Sequence, residues 1–263
     1  MTDLSGKRVF VTGGSTGIGL AVALGAAERG ATVAICARRP DKLSEVLAEL
    51  REISPDSRSY VVDLADFNHL EKFALGVDND LGGIDVLINN AGTPKRRTVM
   101  NLTTETVEAV MSLNYASPVR LMHALLPRFI DRGADIINIS SVAARLSPPA
   151  EAAYAASNAA LTAWSESMRV DLGIASHDVR VHVVNPGVFD TEPFNLPDND
   201  PFTSPIEKAP VSEIVGPILD LIGNDKFEIY VPSWFEDVVA KKFPDTTAFL
   251  AGSISWARGQ ASA

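Results

Sequence analysis

Tyr154 and Asn158 stand four residues apart in the stretch YAASNAALTAW, so a helix would place a phenol and an amide on one face. Ser141 precedes the tyrosine by thirteen residues, at the end of an apolar run. A phenol can donate a proton to an oxygen that gains negative charge, although its ordinary pKa is about 10. A neighbouring cation would lower that pKa towards the working pH. Asn158 carries no charge, so the pattern predicts proton-transfer chemistry whose acid lacks a cation one helical turn away.

A glycine-rich turn near the start of the chain predicts a phosphate-binding site. The sequence TGGSTGIG (12–19) follows a short apolar run and opens an Ala- and Leu-rich segment. Glycines let the backbone approach a pyrophosphate, and the N–H groups of the following helix N-terminus attract the phosphates. The candidate residues of this turn are Gly13, Ser15, Thr16, Gly17, Ile18 and Gly19. A purely structural turn is the alternative, because such motifs also occur without a ligand.

The end of the second apolar run indicates which dinucleotide the turn would bind. This run ends in CARRP, with Arg38 and Arg39 where an acidic residue would bond the ribose 2′-hydroxyl of NAD. The planar fork of arginine instead suits a 2′-phosphate. We therefore expect NADP(H) to be favoured over NAD(H). Two solvated arginines that open a helix are the alternative.

Alternating strand-like and helical segments must position these residues. The strand-like runs are continuously apolar, which is typical of strands buried on both faces. Strict alternation with helices predicts parallel pairing through right-handed crossovers. We expect the α/β fold class, with a Rossmann-like doubly wound parallel sheet of about seven strands, helices on both faces and a single domain over 1–263. The predicted strands lie within 7–14, 31–39, 57–64, 84–92, 134–141, 179–187 and 227–232.

Composition limits the classes of partner. The formal net charge is −10 and the pI is about 4.9, so nucleic-acid binding is disfavoured. The sequence has no basic and apolar leader and no apolar run of the roughly 20 residues that a membrane span needs. Cys36 is the single cysteine, and the four histidines lack metal-ligand spacing. We expect a cytoplasmic protein without a metal site or an integral membrane segment.

Seven motifs in a fixed order give the chain a family resemblance. They are TGGSTGIG (12–19), VDL (62–64), NNAG (89–92), LNYAS (113–117), INISS (137–141), Tyr154 and NPGVFDT (185–191). In these motifs the chain resembles a short-chain dehydrogenase/reductase of the roughly 250-residue kind. The resemblance implies an enzyme that transfers a hydride between a nicotinamide and a carbonyl or secondary alcohol.

The resemblance also implies roles for individual residues. Ser141 would bond the substrate carbonyl oxygen, Tyr154 would be the acid or base, and Asn114 would position a water. Asn89 would tie strands together. The residues implied to contact the cofactor beyond the glycine turn and the arginines are Asp63 and Leu64 at the adenine, Asn90, Ala91 and Gly92 at the middle, Pro186, Gly187, Val188 and Thr191 at the nicotinamide, and Tyr154 and Asn158 at its ribose.

Asn158 departs from the family pattern, which has a lysine there. An amide can still bond ribose hydroxyls, but it removes the charge that tunes the phenol. Three explanations stay open: a reductase whose cation comes from elsewhere, a catalytically weak or inactive NADP-binding protein with a sensory or structural role, and a deliberate replacement of the lysine. The candidates for a substitute cation are Lys95, Arg96, Arg97 and Arg145.

Substrate choice is expected to lie in three segments, 93–100, 142–151 and a loop at 189–210 that would close as a lid or be a plain surface loop. Arg145 would meet an anionic group. The apolar residues of these segments predict a carbonyl or alcohol substrate of medium size and are Met100, Leu146, Pro148, Pro149, Phe189, Phe194 and Phe202.

Two further expectations concern surfaces. The small residues of the tyrosine helix, together with the family resemblance, predict a homodimer or homotetramer. The helical tail at 233–263 extends past the usual family end and would cover the active site, a partner subunit or a lipid surface. The small residues are Ala152, Ala153, Ala155, Ala156, Ala159 and Ala160.

Overall fold

One parallel sheet forms the centre of the molecule. The computed structural model describes residues 1–192, 198–200 and 206–261. Within them, seven strands pair in the order β3-β2-β1-β4-β5-β6-β7, and every pair is parallel. The predicted fold class is confirmed. The strands are β1 (Arg8–Thr12), β2 (Thr32–Ala37), β3 (Arg58–Val61), β4 (Val86–Asn89), β5 (Ala134–Ile139), β6 (Val179–Pro186) and β7 (Glu228–Val231).

Helices connect the strands and cover both faces of the sheet. Two hydrophobic clusters result, one beneath α1, α2 and α8 and the other beneath α3, α5 and α7. Successive residues of a strand point to opposite faces, so Val9 and Val11 join the first cluster and Phe10 joins the second. The helices are α1 (Gly17–Glu28), α2 (Pro40–Ile53), α3 (Leu70–Asp80), α4 (Thr104–Met111), α5 (Ser117–Arg132), α6 (Ala143–Leu146), α7 (Ala152–Ile174), α8 (Ser212–Leu219), α9 (Phe235–Lys242) and α10 (Thr246–Ala261).

The strand order reverses between β1 and β4. The chain builds β1, β2 and β3 towards one edge and β4 to β7 towards the other. In open parallel sheets a ligand crevice forms at such a reversal, beside the carboxyl ends of the strands. The glycine turn follows β1, and the NNAG motif begins in the last residue of β4, so both lie at this crevice.

The helical segment between β4 and β5 is interrupted before Pro118. Residues Ser112–Ala116 form a π-helical turn between α4 and α5, and Pro118 lies in the first turn of α5. Proline has no N–H to donate and is tolerated in a first turn, which explains the restart of the helix. π-turns are frequent at functional sites, and this one contains the buried Asn114.

The hydroxyl of Thr12 joins the end of β1 to the chain that follows β4. The side chain is buried, and its Oγ1 accepts hydrogen bonds from the backbone N–H groups of Asn90 and Ala91, each at 3.0 Å. These two amides have left the β4 ladder. The threonine therefore satisfies two donors at the point where the crevice opens.

We expect Thr12→Val to destabilise the fold, because it keeps the shape of the side chain and removes the acceptor of two N–H groups. An unsatisfied buried donor costs about 1–3 kcal/mol. Thr12→Ser keeps the hydroxyl and is the matched control. The measurement is the free energy of unfolding in urea; equal values for the two variants would contradict this role of the hydroxyl.

Candidate active site

The carboxyl edge of the sheet opens into a cavity of about 700 Å³. Its walls carry all but one of the catalytic and cofactor-binding residues expected from the sequence. The exception is Gly19. The residues on the walls are Gly13, Ser15, Thr16, Gly17, Ile18, Arg38, Arg39, Asp63, Leu64, Asn90, Ala91, Gly92, Asn114, Ser141, Tyr154, Asn158, Pro186, Gly187, Val188 and Thr191.

The glycine turn forms a backbone cradle that side chains would fill. Gly13 and Gly17 have φ values of +67° and +58°, in the region that favours glycine. A Cβ atom on Gly13 would lie 2.9 Å from the Cα of Ala91, and one on Gly17 would lie 3.2 Å from the Thr191 methyl. The cradle opens at the N-terminus of α1, so its space and its N–H donors fit a pyrophosphate.

Gly19 and Asn90 hold this cradle in place. A Cβ on Gly19 would lie 2.3 Å from Asn90 Nδ2, so glycine is needed there for close packing. The Asn90 amide donates to the carbonyl oxygens of Thr12 and Gly13 at 3.0 and 3.2 Å. Asn90 therefore lines the cavity and also fixes the turn.

Asn89 joins two strands, although it also lies on the cavity wall. Its Nδ2 donates to Asn138 Oδ1 at 2.8 Å, between β4 and β5. Both side chains are buried. This contact agrees with the expectation that Asn89 ties strands together.

The two arginines after β2 differ in their partners. The Arg39 guanidinium donates to both carboxylate oxygens of Glu192, at 2.7 and 3.1 Å, although both side chains are largely exposed. Arg38 is also exposed and has neither a hydrogen bond nor an ion pair within the described parts of the chain. Arg38 is thus the arginine whose fork is available at the rim of the cavity.

Tyr154 is a weak acid in this environment. Burial is the largest influence and raises the pKa of its phenol to about 12. Hydrogen bonds with Ser141 and Asn158 lower the pKa, while the charge of Glu151 raises it further. None of these neighbours is a cation, so the phenol stays protonated at neutral pH.

Asn158 is buried beside the phenol. Its Nδ2 donates to the backbone carbonyl of Tyr154 at 2.9 Å, one helical turn back. The hydroxyls of Ser140 and Thr162 donate to the carbonyl of Asn158, at 3.3 and 3.0 Å. The amide therefore occupies a packed position and supplies a hydrogen bond where the family resemblance implies a charge.

Ser141 joins the start of α6 to the phenol. Its Oγ accepts a hydrogen bond from the N–H of Ala143 at 3.1 Å, in addition to its bond with Tyr154. The hydroxyl thus lies at the end of β5, where the first helix turn fixes its direction.

Asn114 braces the loop after β4. Its Oδ1 accepts from the N–H of Thr93 at 2.9 Å, and its Nδ2 donates to the Thr93 carbonyl and to Ser157 Oγ, each at 3.2 Å. The side chain is thus engaged with protein groups. The expected positioning of a water by Asn114 stays a prediction.

The expectation that Arg145 supplies the missing cation or meets an anionic substrate is wrong. Its guanidinium donates to Glu166 at 2.7 Å and to Glu228 at 3.2 Å, and it does not line the cavity. Two carboxylates therefore satisfy its charge on the outside of α7.

The three basic residues after β4 differ in whether they line the cavity. Lys95 forms an ion pair with Asp198, and neither Lys95 nor Arg97 lines the cavity. Arg96 is buried and lines it, and its charge lowers the pKa of Glu151. Among the described residues, Arg96 is thus the candidate cation that reaches the cavity, and it acts on a carboxylate.

The described middle of the expected substrate loop docks beside Arg96. Asn199 Oδ1 accepts from the backbone N–H of Arg96 at 3.0 Å, and Asp200 Oδ2 accepts from the N–H of Thr98 at 2.9 Å. Polar contacts thereby hold residues 198–200 against the loop after β4.

The apolar wall differs from the expected one. Leu146, Pro148, Pro149 and Phe189 line the cavity, whereas Met100 is 85% exposed and does not. Phe194 and Phe202 lie outside the described residues.

The C-terminal helix completes the apolar wall. Phe249, Ser253, Trp256 and Ala257 of α10 line the cavity, together with Phe235 of α9. Their spacing of four, seven and eight residues from Phe249 puts them on one helical face, a signal present in the sequence. Of the three sites considered for the tail, the described structure places this helix at the active-site cavity.

The described residues contain neither a candidate metal site nor a membrane-spanning helix. No group of three or more His, Cys, Asp or Glu among the described residues could hold a metal ion. Within the same residues, no helix has both the length and the apolar character needed to cross a membrane.

A family model described as short chain dehydrogenase matches residues 7–198. This chain belongs to the short-chain dehydrogenase family. The match includes the glycine turn, Ser141, Tyr154 and Asn158. It ends before β7, α9 and α10, so the apolar wall built by the last helices lies outside it.

Curated relatives and solved structures agree with this assignment. An uncharacterised oxidoreductase of Mycobacterium bovis is 35% identical over 79% of this chain and 63% of the relative. A dehydrogenase/reductase SDR family protein 7-like of Drosophila melanogaster is 34% identical over 72% of this chain and 59% of the relative. The chain thus covers less than two thirds of these relatives.

Solved structures share the fold. A short-chain dehydrogenase from Streptomyces avermitilis has a TM-score of 0.79 at 26% identity, covering 97% of this chain and 98% of that chain. A Burkholderia phymatum member in complex with NAD has a TM-score of 0.84 at 20% identity, over 94% and 96%. A Thermococcus sibiricus alcohol dehydrogenase complexed with 5-hydroxy-NADP has 0.75 at 23%, over 85% and 95%.

We expect Asn158→Lys to lower the pKa of Tyr154 from about 12, because a cation one turn away favours the phenolate. The phenolate absorbance, taken as a difference against Tyr154→Phe, should then appear below about pH 10. Asn158→Met is the control, because it has nearly the length of lysine without the charge. Equal titrations of the Lys and Met variants would show that charge at this position does not tune the phenol.

Proposed function

We propose that this chain is an NADP(H)-dependent oxidoreductase that acts on the carbonyl or secondary alcohol of a medium-sized apolar substrate. The observation that carries the proposal is that Ser141 and Tyr154 line the same cavity as the glycine cradle, with Ser141 near enough to lower the pKa of the phenol. A bound nicotinamide supplies the hydride. Ser141 holds the substrate oxygen, and Tyr154 provides its proton.

The raised pKa of Tyr154 favours carbonyl reduction over alcohol oxidation. Reduction needs a protonated phenol, and a pKa of about 12 keeps it protonated at neutral pH. Oxidation needs the phenolate as a base, which is scarce at that pH. At neutral pH the phenol is therefore in the protonated form that carbonyl reduction needs.

The preference for NADP(H) is supported by Arg38. Its exposed guanidinium lies on the cavity wall after β2, where the 2′-substituent of a dinucleotide is read in this fold. Arg39 also lines the wall, although Glu192 engages its fork. Asp63 and Leu64 lie on the same wall and suit the adenine.

The substrate class is supported by the apolar wall. Leu146, Pro148, Phe189, Phe249 and Trp256 line the same cavity as Tyr154, so an apolar part of the substrate would have an apolar wall to pack against. We take the described parts of the loop at 189–210 and α10 to be the segments that select the substrate.

Assembly as a homodimer or homotetramer is supported by the outer face of α7. Trp164, Val170 and Ile174 are exposed there, and a groove of about 340 Å³ lies between α5 and α7. Ala153 and Ala155 are instead buried within the subunit, so fewer alanines are free for close packing than expected. We place the protein in the cytoplasm because its single cysteine, Cys36, is buried and reduced.

A catalytically weak NADP-binding protein with a sensory or structural role is the second candidate. The neutral environment of Tyr154 favours it, because an untuned acid forgoes part of a rate effect of about 10²–10⁴-fold. Cofactor binding without turnover would distinguish this role from the first.

We expect the protein to oxidise NADPH in the presence of medium-sized apolar ketones, as followed by the loss of nicotinamide absorbance. Tyr154→Phe should abolish turnover and keep NADPH binding, because it removes only the phenolic hydroxyl that provides the proton. Asn158→Lys should raise turnover and lower the pH optimum. Binding of NADPH without consumption at any pH, in both the protein and its Lys form, would favour the second candidate.

We expect Arg38→Ala to weaken NADPH binding more than NADH binding, because only NADPH carries the 2′-phosphate. Loss of charge-assisted hydrogen bonds of about 1.5–3 kcal/mol corresponds to a change of at least tenfold in Kd. Arg39→Ala is the matched control and should have a smaller effect, since Glu192 engages Arg39. If Arg38→Ala changed the Kd of NADPH and the Kd of NADH by the same factor, the assignment would be refuted.

A further inference from the structure

Glu151 is a carboxylate in the cavity with no role so far. It is the N-cap residue of α7, three residues before Tyr154, and both side chains line the cavity. Positions three apart lie on one face of a helix. Among the described residues, its carboxylate has no hydrogen bond and no ion pair within 4 Å.

Burial and one neighbouring cation set the charge of this carboxylate. Burial raises the pKa of Glu151 to about 7, and the guanidinium of Arg96, which faces it from the loop after β4, opposes that rise. Asp200 acts on Arg96 in turn. Tyr154 faces Glu151 from α7 and is neutral at this pH. Glu151 can therefore hold and release a proton near neutrality.

A reductase of this kind needs a proton source behind its phenol. Each reduction removes the proton of Tyr154, and the phenolate must recover one before the next turnover. The amide of Asn158 has no titratable proton to give. Of the groups that act on Tyr154, Glu151 is the one that titrates near neutral pH.

We propose that Glu151 delivers the proton that restores Tyr154 after each reduction, an inference that rests on the proposed function. The substrate carbon gains a C–H bond by accepting the hydride, and the C=O π electrons move to the oxygen, which takes the Tyr154 proton. The O–H bond of Glu151 then breaks, and its proton moves to the phenolate directly or through one water. The carboxylate recovers a proton from solvent at the cavity mouth.

This role sets a pH dependence for the reaction. Below pH 7 Glu151 holds the proton that it delivers, and above pH 7 it has lost that proton. The ionised carboxylate also raises the pKa of Tyr154, which opposes donation by the phenol. Reduction is therefore fastest below pH 7 and declines as the pH rises through that value.

Glu151→Gln tests the relay, because glutamine keeps the shape and removes the acidic proton. We expect kcat for NADPH-dependent reduction at pH 6 to fall about tenfold or more, with KM unchanged and without the decline near pH 7. Glu151→Asp should recover part of kcat. Glu166→Gln, on the outer face of the same helix, is the control and should behave as the wild type.

Each alternative role gives a different result. Equal kcat of Glu151→Gln and wild type at pH 6, with faster turnover of the variant above pH 7, would show that the carboxylate only repels the phenolate. A raised KM with unchanged kcat would show a substrate contact. Either result overturns the relay.

A second measurement does not depend on turnover. The infrared band of a protonated carboxyl, taken as wild type minus Glu151→Gln, should disappear with a midpoint near pH 7. A midpoint below pH 5 would leave no proton to deliver and would overturn the proposal. If the wild-type protein consumes no NADPH, the proposed function fails and the relay fails with it. If the wild-type protein turns over and Glu151→Gln has the same rate and the same pH profile, only the relay fails.

Discussion

Parallel pairing of all seven strands is the constraint on which the cavity depends. It forces every strand to end at the same edge, so the segments after β1, β2, β4, β5 and β6 meet although they are distant in sequence. The chain uses short polar contacts to hold these ends together, such as the Thr12 hydroxyl on two amides after β4. Sheet topology thus creates the crevice, and a few buried hydrogen bonds fix its shape.

The centre of the cavity is held by neutral groups. Ser141 and Asn158 orient the Tyr154 phenol through hydrogen bonds, and neither carries a charge that would tune it. The charged groups that reach the cavity near the phenol, Arg96 and Glu151, influence each other. Burial therefore dominates the acidity of the phenol and keeps it protonated at neutral pH.

The sequence was sufficient to predict the strands, the sheet type and the residues of the glycine turn, because these depend on local apolar runs and on motifs with fixed spacing. Contacts between distant segments could not be predicted. The two carboxylates around Arg145 come from α7 and β7, and the docking of residues 198–200 next to Arg96 joins loops about a hundred residues apart. Met100 shows the same limit, since an apolar side chain in the expected segment faces solvent. The apolar face of the C-terminal helix was visible in the sequence. Its position at the cavity could not be predicted, because it depends on how the chain folds back towards the sheet.

The placement of α10 separates the parts of the chain that carry stability from those that meet the substrate. This helix follows α9 after a three-residue link, packs mainly against it, and lies outside both hydrophobic clusters, yet its Phe249 and Trp256 line the cavity. Substitutions on that face change the shape of the wall while the sheet and its two cores keep their packing. Helix α10 is thus a region in which the shape of the cavity wall can change with little penalty for folding, a form of evolvability separate from the core.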